Sequence, residues 1–430
     1  GYPGAFGRKA NALYIWLPLL VLFIVPFIDW RRLWRIKHLD LVAVAALSIP
    51  FAFFTNAEIG WSSALTFPLL LYLLVRMCWS GFRGGGHPLQ SWVRTNTLGI
   101  GLIFLVGFRL TLNLIDSNVI DVGYAGVIGA DRISHGEALY GNFPSEIEHG
   151  DTYGPVTYLA YLPFELIWPW TGKWDSLPAA HAASISFDLA CVLLLYWLGR
   201  RQGGNKLGVA LAYAWAACPF TLLAMNSNSN DSLVAALGVL ALIAVAKPLR
   251  GGMAAALQGL AKVAPLALTP LLFGSPRLSW ARAWRFTIGF AVAGALLLGA
   301  AALGGDPTLI FERTIGYQWG REAPFSIWGY FGLPGFLRTA VAVGAVVLAV
   351  AVMFLPKRKQ LFQVAALAAA VTLALQLAAT YWFFLYIVWF LPFVLIALLV
   401  PQTPDSETET RPDLAKDGES ERGKTHPYLV

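Results

Sequence analysis

Two arginines and four aromatic rings lie within one polar stretch, Arg313-Thr-Ile-Gly-Tyr317-Gln-Trp319-Gly-Arg321-Glu-Ala-Pro-Phe325-Ser-Ile-Trp328. A guanidinium is a planar fork that matches phosphate oxygens. Aromatic faces suit sugar rings and isoprenoid or acyl chains. The same composition also describes an interfacial aromatic belt with snorkelling arginines. A second cation, Lys262, stands inside an apolar segment, Gly259-Leu-Ala-Lys262-Val-Ala-Pro265. An ammonium within a membrane span costs roughly 2.5 kcal/mol or more unless it meets water or an anion, or snorkels to an interface.

The acidic counterpart is the stretch from Asp116 to Gly154. It carries seven carboxylates (Asp116, Asp121, Asp131, Glu137, Glu146, Glu148 and Asp151) and one arginine, Arg132. Tyr124, Val127, Ile128 and Ile133 fall near helical spacing, which predicts a short amphipathic helix along the membrane surface with Asp121 at its N-terminus. A carboxylate there suits the helix dipole and the free N–H groups, so an N-cap is the plainest role for Asp121. His135 follows Asp131 by four residues and shares a helical face with it. That pair could serve an acyl transferase, or be a surface contact. Asp151-Thr-Tyr153-Gly-Pro155 reads as a turn opening a helix. Asn226-Ser-Asn-Ser-Asn230-Asp231 reads as a polar external turn, able to bind a sugar hydroxyl or to cap the next helix.

These residues sit among long apolar runs. The chain has 430 residues, 57% hydrophobic and 13% charged, with 17 tryptophans, and a mean hydropathy of +0.61. Soluble domains average about 25% charged residues. The runs are long enough to cross a hydrocarbon core as helices, and the alternating pattern of a barrel is missing. The expected spans are 13–28, 41–55, 64–78, 98–115, 155–170, 178–198, 207–222, 232–246, 253–273, 286–303, 339–355, 361–378 and 382–400. Segment 155–170 is expected not to cross fully. Segment 253–273, with Lys262, Pro265 and Pro270, is expected to be broken or re-entrant. The basic links (31–37, 76–94, 200–206, 247–250, 277–285 and 357–359) mark the cytoplasmic face, so the +7 charge is no nucleic-acid signature. Cys78, Cys191 and Cys218 show no pairing or metal spacing and read as inert core thiols. No P-loop, no dinucleotide-binding glycine pattern and no clustered metal-ligand spacing occurs, so no cofactor is expected and no residue is assigned to a metal. No cleavable signal peptide is recognisable.

In order and spacing these motifs resemble the GT-C superfamily of membrane glycosyltransferases, and within it the family-87 polyprenol-phosphate mannosyltransferases. The family pattern of an Asp after an early span, then Tyr, Gly and Tyr, falls on Asp121, Tyr124, Gly136 and Tyr140. Its Tyr-Pro-Pro-like turn falls on Tyr153-Gly154-Pro155, with glycine in place of the first proline. Its Lys-x-x-Pro falls on Lys262 to Pro265. The likeness covers roughly 98–400, and the three spans before Leu98 are additional to the usual start.

The resemblance implies an all-α, polytopic transmembrane bundle of about 11–13 spans. It would comprise extra helices over 1–97 and a GT-C-like core over 98–400, while the polar, Pro/Ser/Thr-rich composition of 401–430 reads by itself as a disordered cytoplasmic tail. It implies a cell-membrane enzyme that transfers a hexosyl, chiefly mannosyl, residue with inversion on the extracytoplasmic face. The donor would be a polyprenyl-phosphate sugar and the acceptor a lipid, glycan or protein; membrane lipids would be partners and nucleic acid would not. Asp121 would be the general base. Lys262, Arg321 and Arg313 would hold the donor phosphate. Tyr124, Asp131, His135, Tyr140, Tyr153, Asn230, Trp319 and Trp328 complete the candidate substrate-binding set. The alternative from another class is a transporter or flippase of lipid-linked sugars.

Overall fold

Lipid offers no hydrogen bonds, so a chain crossing it must pair its own backbone groups, as a helix does. The computed structural model describes residues 12–84, 86–317 and 323–402, whose regular structure is helical; the β-pairing among them is one isolated bridge between Arg277 and Arg358. The helices run α1 Leu13–Ile24, α2 Ile36–Ala46, α3 Ser48–Thr55, α4 Ile59–Arg83, α5 Thr95–Ile115, α6 Asp121–Ser134, α7 Pro155–Glu165, α8 Pro178–Ala217 and α9 Pro219–Asn226. They continue as α10 Asp231–Ala244, α11 Pro248–Gly259, α12 Thr269–Phe273, α13 Trp280–Ala301, α14 Pro307–Phe311, α15 Ile327–Phe331, α16 Gly335–Phe354, α17 Leu361–Ala378 and α18 Ile387–Leu399. Seven segments of the described residues are long and apolar enough to cross a membrane: Ile36–Thr55, Ile59–Arg83, Thr95–Ile115, Pro178–Ala217, Trp280–Ala301, Gly335–Phe354 and Leu361–Ala378. The protein is an all-α, multi-pass membrane bundle.

The remaining expected spans are shorter or broken, each for a local reason. A straight α8 of 40 residues would be about 60 Å long, twice a hydrocarbon core. It folds back instead where Gly203 and Gly204 leave helical geometry. A Cβ on Gly199 would lie 2.7 Å from the Cα of Gly208, so the two arms touch through glycine. The α7 helix has 11 residues, about 16 Å, and does not cross. The 253–273 segment is interrupted as expected: α11 ends at Gly259, and a 3₁₀ turn over Ala264–Leu268 precedes α12, leaving Lys262 in the gap.

One hydrophobic cluster runs from Trp16 to Val400 and takes in α1–α4 together with α8, α17 and α18. The helices before residue 98 therefore share their core with the C-terminal helices. Two charged pairs lie inside this core. Asp40 is held by Arg76 Nε at 2.8 Å and Nη2 at 3.0 Å, and accepts a bond from the Tyr72 hydroxyl. Arg109 of α5 donates to Asp188 of α8 at 2.6 Å, to Thr221 Oγ1 at 2.9 Å and to the Ala216 carbonyl at 3.1 Å, and the Trp215 indole donates to Asp188 as well.

The structure revises the expected surface helix. Residues Gly123 to Ala130 of α6 are all buried, so the helix is embedded rather than resting on a boundary. Glycines at a spacing of three make this possible. A Cβ on Gly123 would fall 2.1 Å from the Asn228 carbonyl oxygen, one on Gly126 would meet the Tyr161 ring at 2.6 Å, and one on Gly129 would meet Tyr158 at 2.0 Å. The Asn226–Asp231 turn is likewise buried. The proposed tail, 403–430, lies outside the described residues.

Two stability outcomes follow. Arg109→Met or Asp188→Leu alone strands a buried charge and costs about 3–5 kcal/mol, while the double variant regains most of the loss; denaturation midpoints in one detergent read this cycle. Gly126→Val overpacks the α6–α7 contact by about 1–3 kcal/mol, and adding Tyr161→Leu restores part of it, measured by the same assay.

Candidate active site

The site is assembled by backbone pairing between segments distant in sequence. Asn118 N–H donates to the Asn226 carbonyl and Ile120 N–H to the Ser227 carbonyl. Asn228, with φ of +50°, turns its amide to donate to Asn118 O at 2.9 Å and Ser117 Oγ at 3.0 Å, and accepts from Asn113 at 2.9 Å. Asparagine tolerates this left-handed geometry better than most residues. The buried turn thus carries the start of α6 on one side and delivers Asp231 on the other. The start of α7 is fastened to the break after α11 in the same way. Gly154 N–H donates to Ala261 O, Val156 N–H to Leu260 O, and Thr157 Oγ1 to Ala261 O at 2.8 Å. A Cβ at residue 154 would sit 1.9 Å from the Leu260 carbonyl oxygen, so this approach demands glycine.

Lys262 is the centre of the arrangement. It is 8% exposed. Its Nζ donates to Asp231 Oδ1 at 2.7 Å, and the Trp389 indole donates to the same oxygen at 2.8 Å. Three rings surround the ammonium, with centroids at 4.9 Å for Trp389, 5.3 Å for Tyr153 and 5.9 Å for Tyr386. Aromatic faces stabilise a desolvated cation. An ammonium has three donors, of which Asp231 takes one.

Asp121 is the first residue of α6; Ile120 occupies the cap position, so the carboxylate sits in the first turn rather than capping. Its side chain is exposed. The Tyr153 hydroxyl is pushed well above its ordinary range, first by burial, then by the charge of Asp121, with Tyr386, Tyr158 and Asp231 adding to it. Tyr153 therefore stays protonated; its ring faces Lys262, and the charge of Asp121 reaches its hydroxyl. Tyr140 sits behind it and donates to the Tyr153 carbonyl at 3.0 Å; burial, then Asp151, raise the Tyr140 hydroxyl in turn.

Other expected residues lie elsewhere. Arg313 is turned to Asp151, 3.4 Å away, whose other bond is from Gly141 N–H at 2.7 Å. It braces the loop that carries Tyr153. Arg321 and Trp319 lie outside the described residues. Tyr124 donates to Glu146 at 2.6 Å and stacks on Trp174 at 4.7 Å. Trp328 is buried, its indole donating to Leu377 O at 2.8 Å. His135 is exposed and meets the Asp131 carboxylate at 3.4 Å and its carbonyl at 2.9 Å. That pair lies ten residues along α6 from Asp121, about 15 Å, as a surface contact. Asn230 is fully buried beside Asp231, and neither its Oδ1 nor its Nδ2 meets a partner among the described residues; the same holds for the Tyr161 hydroxyl.

Asp231, Tyr386 and Trp389 are the residues that reading the sequence missed. Asp231 looked like the last residue of a capping turn, and the two aromatics like part of an apolar span. The available signal was Lys262 itself, because a buried ammonium requires an anion. Among the described residues no group of three His, Cys, Asp or Glu side chains could hold a metal ion. Comparison with protein-family models finds none that matches the chain, and comparison with curated proteins finds no similar sequence.

Proposed function

We propose that this protein is a polyprenyl-phosphate-dependent glycosyltransferase, working by inversion on the face where α6 begins. The observation that carries the reading is the convergence of a solvent-reaching carboxylate, Asp121, and a caged ammonium, Lys262, on one tyrosine, Tyr153. A hydroxyl acceptor is a poor nucleophile and needs a proton acceptor. A phosphate leaving group needs a cation rather than an acid. In the reaction, the acceptor oxygen bonds to the anomeric carbon as its proton passes to Asp121. The bond from that carbon to the phosphate oxygen breaks, and the electron pair leaves with the polyprenyl phosphate, whose charge Lys262 meets.

The surroundings suit a lipid-linked donor. An apolar cavity of about 630 Å³ is lined by Gly154, Leu260 and Val263, residues that flank Tyr153 and Lys262, and by Phe290 and Leu298 of α13. A smaller cavity of about 220 Å³ is lined by Tyr386 and Trp389 and presents Gln258 and Gln376. An isoprenoid chain fits the first and polar sugar hydroxyls the second. A flippase of lipid-linked sugars is the second reading, favoured by the buried Lys262–Asp231 pair at a helix break.

Purified protein supplied with a synthetic polyprenyl-phosphate sugar and a lipid or glycan acceptor should transfer the sugar, and Asp121→Asn should lower the rate by about 10²–10⁴-fold. Full activity in that variant would remove Asp121 as base, and flipping of the donor in proteoliposomes without transfer would favour the second reading. Lys262→Met alone should destabilise the fold by about 3–5 kcal/mol, and Lys262→Met with Asp231→Leu should regain most of that stability. Transfer should nevertheless stay at least tenfold below wild type in the double variant, as expected when roughly 1.4 kcal/mol or more of leaving-group stabilisation is lost. Recovery of both properties together would reduce the pair to a packing role.

A further inference from the structure

A second polar cavity lies at the other end of the molecule. The α5 helix has 21 residues, about 30 Å, and the candidate active site adjoins its C-terminal end. At its N-terminal end the link between α1 and α2 meets the link between α4 and α5. Together they enclose a cavity of about 720 Å³ lined by Arg31, Arg32, Arg35, His87, Trp30 and Trp92. Sites for small ligands commonly fall between about 300 and 1,000 Å³.

The walls are fixed by bonds that do not use the exposed cations. Trp92 N–H and its indole donate to Pro26 O and Val25 O. Arg35 Nη2 donates to the His87 carbonyl at 3.0 Å and ties one link to the other. His38 accepts from the Asp29 N–H at 3.1 Å. Asp29 is the counter-charge in the lining, 3.6 Å from Arg35. Three guanidiniums against one carboxylate leave an excess of two positive charges, and Arg31 and Arg32, both exposed, carry it. Pro88, Gln90 and Ser91 also line a neighbouring cavity that reaches Lys206, which adds another cation nearby.

The tryptophans show which anion fits. Trp30 and Trp92 are each 58% exposed, and Trp34 beside them is 94% exposed. Exposed tryptophans at helix ends belong at a membrane–water interface. Val21 of α1, and Ile36 and Leu39 of α2, present exposed apolar side chains on the helices that enter and leave the link. A phosphodiester headgroup would meet the arginines while its acyl chains ran along those faces. Basic pockets between transmembrane helices recognise anionic headgroups in this way.

We infer that this pocket binds the headgroup of an anionic phospholipid in the leaflet opposite the candidate active site. The inference is independent of the glycosyltransferase reading, and its test uses no enzyme assay. The full-length protein in detergent is titrated with phosphatidylglycerol or phosphatidylcholine, and bound lipid is counted by native mass spectrometry. One phosphatidylglycerol should be retained, with phosphatidylcholine lost. Arg31→Gln with Arg32→Gln should weaken retention about 30-fold, the combined worth of two arginines at an anionic surface, at an unchanged melting temperature. Arg200→Gln with Arg201→Gln removes the same charge from another exposed basic link and should leave retention unchanged. Equal retention of phosphatidylcholine, an equal loss in the Arg200/Arg201 variant, or displacement of the lipid by millimolar inorganic phosphate would each overturn the assignment.

Discussion

An ammonium buried in an apolar bundle must be compensated on the spot, and around Lys262 that requirement organises much of the candidate site. The compensation is a carboxylate, an indole that donates to the same carboxylate oxygen, and three aromatic faces. To supply them, four separate parts of the chain must meet: the break after α11, the turn before α10, the loop before α7 and the start of α18. Each depends on a backbone irregularity. Lys262 sits where the helix is interrupted, Gly154 allows the α7 turn onto Leu260, and Asn228 holds the left-handed geometry that turns the chain into α10. Irregular backbone at membrane depth is tolerable when its polar groups are bonded within protein, and here the Asn228 turn bonds the 113–120 segment while the start of α7 bonds the break at 260–261.

The tyrosines and glycines of the 116–154 loop follow from the same constraint. Its carboxylates are divided between jobs. Asp151 anchors Gly141 and Arg313, and Glu146 accepts from Tyr124. Asp121, at the entrance of α6, stays exposed. Gly123, Gly126 and Gly129 bring α6 against the Asn228 turn and against Tyr161 and Tyr158, which sets the distance between the start of α6 and the Lys262 cage. The loop therefore has a buried support, built from Tyr124, Tyr140 and Asp151, beneath exposed carboxylates of which Asp121 stands at the entrance of α6.

Much of the membrane architecture was legible from hydropathy, because run length and composition alone decide whether a helix can cross. The break at 260–263 was legible too, since Lys262 and two prolines cannot sit comfortably in a continuous span. What hydropathy could not show was depth. The polarity of Asn226–Asp231 suggested an exterior turn, yet the turn is buried because its amides and hydroxyls bond the 113–120 segment. Tyr124, Val127, Ile128 and Ile133 suggested a half-exposed helix. The period was right, but three glycines on the other face let the chain pack there as well. Arg313 looked like a phosphate ligand by type, and its nearest acid, Asp151, is distant in sequence and visible only after folding. Asp231 was hidden for the opposite reason, as its neighbours all favour caps.

Two of the buried ion pairs, Arg109–Asp188 and Lys262–Asp231, show why charge within a span does not by itself mark a site. Arg109 is 1% exposed, and both of its terminal nitrogens are bonded to groups of α8 and α9, with the Trp215 indole donating to Asp188 as well. It lies within a regular helix, and it clamps α5 to α8. Lys262 shares the carboxylate and the indole but differs in three respects. It lies at a helix break, it is ringed by aromatic faces, and apolar space opens beside its neighbours Leu260 and Val263. An arginine whose two terminal nitrogens are held within packed, regular helices has nowhere to receive a ligand. An ammonium with donors to spare, set at an interruption beside a cavity and next to a carboxylate-bearing loop, does. The inference from buried charge to chemistry therefore rests on the irregular backbone around Lys262, because only there can a second anion approach without dismantling a helix.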